Sequence, residues 1–166
     1  DPVSIAFASD IHVGSKYFLN KEWDRMMEWL NSDHPTAKNI KYLVFAGDVV
    51  DGIGIYPGQE HNLTETDVYL QYEEFARQMD RLPDHMTPVI LPGNHDAVRP
   101  AEPQPVLEDL VQKKFSHAIH VGNPSRINLS GIEVLAYHGK GIDDMVPRMA
   151  HVTYEKPAEA MKEMLR

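Results

Sequence analysis

The sequence predicts an α/β fold in which mixed β-sheets are flanked by helices. Three observations carry that prediction. Short apolar runs of strand length recur at Val3 to Ser9, Lys41 to Gly47, Pro88 to Pro92 and Ile132 to Tyr137. Stretches with apolar residues at helical spacing lie between the first three of them. Each run also ends in Asp, Gly, Asn or His, so the polar chemistry collects where strands stop. Strands alternating with amphipathic helices argue for βαβ units and a largely parallel sheet.

Taken in order, VSIAFAS is the first strand, and Trp23, Met26, Met27 and Leu30 fall on one face of a helix after a cap at Asn20. KYLVFAG is the second strand. The loop from Gly52 to Asn62 is long and rich in Gly and Pro, and such loops over a strand end often carry function. Val68, Tyr72, Phe75, Met79 and Leu82 then mark a second helix face after a cap at Thr64, and PVILP is the third strand. These aromatic and Met stripes read as helix faces packed on a sheet, not as a cofactor box. Ala118 to Val121, Arg126 to Leu129 and Ile132 to Tyr137 follow one another with only turn residues between, which predicts adjacent antiparallel strands and so a mixed sheet.

With 166 residues and no Cys, the chain has the size of one domain, 1–166, that needs no disulfide. No apolar run approaches the roughly 20 residues of a membrane span, and the first residues lack the features of a signal peptide, so the expectation is a soluble, cytoplasmic protein with no membrane partner. The balance of 25 acidic against 16 basic residues gives −9, which argues against a surface that coats DNA by phosphate neutralisation. Bound divalent ions can still hold a phosphate at one point on an acidic protein.

Four strand ends carry the chemistry: Asp10-x-His12, Gly47-Asp48-x-x-Asp51-Gly52, Gly93-Asn94-His95-Asp96 and His138-Gly139. Singly each is weak, because Gly-Asp after a strand is usually an ordinary turn. Together they place acids, imidazoles and an amide at the carboxyl edge of a sheet, where open α/β sheets gather ligands. Oxygen and nitrogen donors without thiolate suit Mn²⁺, Fe, Zn²⁺ or Mg²⁺ better than a structural zinc. In an extended segment Asp10 and His12 share a face and can meet one ion. His34, His61, His85, His117, His120 and His151 sit in no such motif and read as surface or capping residues.

This motif series resembles the calcineurin-like metallophosphoesterase superfamily, an α/β sandwich whose blocks run D-x-H, G-D-x-x-D, G-N-H-D/E, a later His, and G-H-x-H. The resemblance implies two divalent ions, Mn²⁺ first among them. Asp10 and His12 bind the first, Asp48 bridges, and Asn94 and His138 bind the second. His95 contacts the scissile phosphate or the leaving oxygen, and Asp51 orients it. Outside that resemblance, Arg99 in the loop after His95 reads equally as a contact to a substrate phosphate or as a member of an exposed ion pair. The flanking strings GIGIYPGQE and AEPQP are more specific, and resemble the small-subunit family of euryarchaeal D-family DNA polymerases. That resemblance implies a 3′ to 5′ exonuclease that proofreads beside a large polymerase subunit, with single-stranded or mismatched DNA 3′ ends as substrate. Two other readings share the motifs: a non-catalytic scaffold for the polymerase, and a phosphatase of the same superfamily. No G-H-x-H follows His138. The expectation is therefore a domain cut at both ends, without its C-terminal ligand block or the OB-fold domain of those subunits, and with weak or partial ion binding.

Overall fold

The computed structural model describes residues 3–166. Its strands are β1 (Ser4–Ala8), β2 (Ile40–Ala46), β3 (Thr87–Leu91), β4 (Ile119–His120), β5 (Ser125–Leu129) and β6 (Ile132–Ala136). Its α-helices are α1 (Asn20–Leu30), α2 (Pro35–Asn39), α3 (Val68–Met79), α4 (Asp109–Gln112), α5 (Ile142–Met145) and α6 (Pro157–Met164). The fold is α/β, with helices against a parallel sheet and an antiparallel pair beside it.

β1, β2, β3 and β4 pair in that order, all parallel. β2 and β3 are interior strands covered on both faces, which is why they read as continuous apolar runs. Side chains alternate across the pleat. Leu43 and Phe45 point into a core with Trp23 and Met27 of α1 and Tyr72, Phe75 and Met79 of α3. Val44, Val89 and Leu91 point the other way, onto Ile127, Leu129 and Ala136 of β5 and β6. The layers are therefore helices, parallel sheet and antiparallel ribbon. Phe45 and Phe75 are fully buried with rings edge to face at 5.3 Å, and losing either ring would cost about 3–5 kcal/mol.

Three details differ from the sequence reading. The antiparallel strands do not enter the main sheet. β5 and β6 form their own ribbon, closed by Ser130-Gly131, both at positive φ as a two-residue hairpin turn requires. The preceding segment, read as their neighbour, gives β4 and pairs parallel with β3 instead. The helix caps also move. α3 is capped by Asp67, whose carboxylate accepts from the backbone N–H of Tyr69 and Leu70, while Thr64 donates its hydroxyl to the Gly14 carbonyl. Asn20 lies inside α1 and its amide turns back to the Phe18 carbonyl, so no side chain caps that helix.

Candidate metal centre

The loops leaving β1, β2 and β3 run side by side. Asp10 N–H donates to the Gly47 carbonyl and His12 N–H to the Asp48 carbonyl, both at 3.1 Å, and Asp51 N–H donates to the Val13 carbonyl at 2.9 Å. This strapping holds Asp10, His12 and Asp48 at φ of 56°, 53° and 54°, left-handed conformations that non-glycine residues rarely adopt. Three such residues in one cluster are strain that the surrounding contacts must hold, a feature concentrated at functional sites.

All five residues expected as ligands come together. Ligand atoms of Asp10, Asp48 and His138 lie within 4.8 Å of one another. Asp48 is central: its Oδ2 is 3.4 Å from His138 Nε2 and 3.7 Å from His12 Nε2, and His12 Nε2 is also 3.7 Å from Asp10 Oδ1. Asn94 Oδ1 lies 3.0 Å from His138 Nε2.

The three imidazoles share one arrangement. His138 Nδ1 donates to the Ala46 carbonyl at 2.8 Å, and His95 Nδ1 to the Asp51 carbonyl at 2.7 Å. His12 Nδ1 donates to the Asp51 carboxylate at 2.9 Å. A carbonyl or carboxylate oxygen can only accept, so the proton sits on Nδ1 and the ring presents Nε2. For His12 and His138 that atom faces Asp48. Metal-binding imidazoles are typically braced this way by their other nitrogen. His12, Asp51 and His95 also fall within 4.8 Å as a trio, but the nitrogens turned to Asp51 are committed to these hydrogen bonds, so the trio is a brace and not an ion site.

Asp51 serves differently from the expectation. Its carboxylate holds His12, with 3.9 Å to the His95 ring, and its main-chain carbonyl is what orients His95. The His12 and His95 rings meet edge to face at 4.6 Å. Arg99 is exposed and its guanidinium donates to the Pro103 carbonyl. It shares a cavity of about 630 Å³ with Asn94 and His95, whose lining does not include Asp10.

Do these residues suit a cation? Neutral His138 would put a lone pair on Nε2 beside two acceptors, Asn94 Oδ1 and Asp48 Oδ2, within 3.4 Å. Such a group needs either a proton or a positive ion in its midst. Without an ion the proton wins. Burial works to lower His138, but the Asp48 carboxylate outweighs it and lifts the ring to about 9. Contact with His12 holds Asp10 down at about 2. Burial works to raise Asp48, and His138 and His95 outweigh that and keep it below the ordinary carboxylate range. Negative charge is thus retained around a space that excess protons must otherwise neutralise. The donor set fits divalent ions.

Four buried residues to which the sequence analysis gave no role hold this frame. Asp96 is buried, and its carboxylate accepts from the N–H of Asp48 and Gly93, each at 2.8 Å, and from the Tyr72 hydroxyl at 3.1 Å. Burial pushes it up to about 6, with the Gly93 N–H pulling the other way. Gln59 donates to the Asp51 carbonyl at 2.9 Å and carboxylate at 3.1 Å. Gln104 donates to the Gly93 carbonyl at 3.0 Å and accepts from Asn123, whose Oδ1 in turn accepts from His138 N–H at 2.9 Å. Gln59 and Gln104 belong to the two strings singled out as specific, IYPGQE and AEPQP. The remaining histidines lie elsewhere: His34 caps α2, and His151 contacts Glu163.

Fold and site define an α/β protein with an acid–imidazole centre at the carboxyl edge of a parallel sheet. Residues 5–166 match the B-type subunit family of DNA polymerases alpha and epsilon, and the chain belongs to that family. It is 45% identical over its whole length to the DNA polymerase II small subunit of Methanocaldococcus jannaschii, and 44% identical over 98% of its length to that of Archaeoglobus fulgidus. The Pyrococcus abyssi protein of the same name is 44% identical over 95% of the chain. The chain spans 29%, 35% and 27% of those three relatives. Among the described residues no helix is long and apolar enough to cross a membrane.

Proposed function

We propose that the whole protein is the small subunit of an archaeal replicative DNA polymerase, and that this centre is a two-metal phosphodiesterase that degrades DNA from a 3′ end. The observation that carries the reading is the set of imidazoles on fixed Nδ1 acceptors, two of them turning Nε2 toward the buried Asp48 carboxylate. Asp10, His12 and Asp48 would hold one ion, and Asp48, Asn94 and His138 the other, with Mn²⁺ the first choice. Bound ions there supply positive charge against the phosphoryl oxygens and a more acidic water. His95, its Nδ1–H spent on Asp51, would have to carry a second proton on Nε2, as imidazolium, to deliver it to the leaving 3′ oxygen or hold it against a non-bridging oxygen. The metallophosphoesterase resemblance and the donor set support this chemistry, and the archaeal polymerase relatives support the subunit assignment.

A second reading keeps the polymerase partnership and drops the chemistry: a scaffold for the large subunit. It is favoured by large apolar side chains left uncovered on β1 and β6, namely Phe7, Ile132 and Leu135. Incubating the full-length subunit with end-labelled single-stranded DNA and Mn²⁺ separates these readings. The expected result is a ladder of shortened products that disappears with Asp48→Asn. Hydrolysis of a phosphoprotein with no ladder would indicate a phosphatase. Hydrolysis of neither, with assembly onto the large subunit intact, would indicate the scaffold.

A further inference from the structure

A cavity of about 550 Å³ opens directly against the centre. Asp10, His12 and His95 form one wall, and Phe18 and Trp23 form its apolar floor. Trp23 is buried, tilted against Phe18 at 5.9 Å, and its indole N–H donates to Gln78 at 2.8 Å, so the floor is rigid. The lining also includes two tyrosines, Tyr17 at 72% exposure and Tyr56 at 41%. These exposed rings are preset. The Tyr17 hydroxyl donates to Asn62 Oδ1 at 3.3 Å, and Asn62 Nδ2 donates to the Tyr56 hydroxyl at 3.2 Å. The Asn62 carbonyl in turn accepts from Lys16 N–H at 2.8 Å, which pins the linking residue to the segment carrying Tyr17.

We propose that this cavity seats an unpaired nucleobase next to the phosphate held at the centre, with Tyr17 and Tyr56 as its stacking surfaces. The inference rests on the phosphodiesterase reading and names the part of the substrate that reading leaves open. Three observations select this occupant. The cavity shares a wall with the centre, so whatever fills it is covalently close to the reacting phosphate. Its volume lies in the roughly 300–1,000 Å³ range of small-ligand sites and is too small for a duplex. Among the described residues its lining includes Asp10, Glu22 and Asp51 but no Lys or Arg, so grip on the strand by phosphate neutralisation is excluded there. What remains is stacking, which every base offers irrespective of sequence and which two preset rings provide at low entropic cost. Recognition then favours single-stranded or unpaired ends over paired ones.

The test uses the full-length wild-type subunit and a 5′-fluorescein thymidine oligonucleotide whose last linkage is a phosphorothioate, to keep the probe intact, with either a normal or an abasic 3′-terminal residue. Anisotropy titrations with Mn²⁺ are expected to show the abasic probe binding roughly 5- to 150-fold more weakly, the range of one lost base–aromatic stack. Tyr17→Ala and Tyr56→Ala should each weaken the normal probe and shrink the difference between probes, while the Phe variants keep most of it. Unchanged discrimination in both Ala variants, or no discrimination before them, overturns the base seat. So does loss of large-subunit assembly in the Ala variants with oligonucleotide affinity unaltered, since the surface would then be a protein interface. Hydrolysis of bis(p-nitrophenyl) phosphate by the wild-type subunit with Mn²⁺ judges the phosphodiesterase reading separately. If that hydrolysis is absent while base discrimination holds, the chemistry falls and the seat stands; the reverse pair of results removes the seat alone.

Discussion

His12 and His138 approach the same Asp48 carboxylate, yet they are held by different means. His12 leans on a carboxylate, Asp51, whose other oxygen is gripped by Gln59. His138 leans on a main-chain carbonyl, Ala46, in a slot that only glycine leaves open: a Cβ on Gly47, at φ +97°, would overlap the His138 ring. One imidazole is tuned by charge and the other by shape. A charged brace raises the basicity of its ring and can be removed by one substitution. A main-chain brace adds no charge and yields only to displacement of the backbone. The two halves of the centre should therefore fail in different ways.

The largest effect is expected at His95, which is oriented by the Asp51 carbonyl and lies outside both proposed ion shells. His95→Ala in the full-length subunit should lower single-turnover cleavage on the order of 10²–10⁴-fold while bound metal, read by elemental analysis, stays. Loss of metal equal to that of His138→Ala would show that His95 is a ligand. Next come the two braces. Asp51→Asn removes the charge and turns its amide N–H onto one of the two donors that Asp51 accepts from, and should lose mainly ion binding, about 10–100-fold, with some stability. Gly47→Ala should lose mainly stability, about 1–3 kcal/mol, as the His138 ring and the Gly93 backbone are forced aside, and should weaken only the ion that His138 would hold. Calorimetric titration and thermal melts of both variants read the contrast directly. If the two lose the same quantity in the same proportion, the distinction between a charged and a steric brace is wrong.

A smaller effect is expected at Gln104→Leu. It leaves the Gly93 carbonyl and the Asn123 amide unpaired in a buried setting, for about 1–3 kcal/mol in denaturant unfolding. A last effect is a pH dependence in chelator-treated protein. His138, raised from 6.5 to about 9, contributes stability that is complete below 6.5 and lost as pH rises toward 9. Asp10, lowered from 3.8 to about 2, contributes stability that is complete above 3.8 and lost as pH falls toward 2. Metal-free stability should thus be greatest between these windows. Added Mn²⁺ should remove the alkaline loss, because the ion takes the place of the His138 proton.

The convergence of the five side chains was legible in the sequence, and the bracing around them was only half so. Asp10, His12, Asp48, Asn94 and His138 stand where apolar runs stop, and strand ends are marked locally by the change from apolar to Gly, Asp, Asn and His. Gln59, Gln104 and Asn123 have no such mark. An amide in a polar loop looks alike whether it is exposed or buried between two carbonyls, and only the folded chain brings Gln104 to Gly93. The role of Asp51 was half legible for the same reason, since its main-chain carbonyl carries no sequence signal at all. In the fold, β1 to β3 and the faces of α1 and α3 followed from periodicity. The separate β5–β6 ribbon did not: a short turn says which strands are neighbours but not which sheet they join. The cap of α3 was misplaced because Thr64 and Asp67 are both cap-forming types, and the choice was made by Thr64 finding the Gly14 carbonyl.

If this edge of the sheet was built around divalent ions, crystals of the chain soaked in Mn²⁺ should reveal them by anomalous scattering. Density is expected within bonding distance of the Asp48 carboxylate, bounded by Asp10 and His12 on one side or by Asn94 and His138 on the other. An anomalous map with no peak near Asp48, while all five side chains remain ordered in saturating Mn²⁺, would show that the centre is not a metal site.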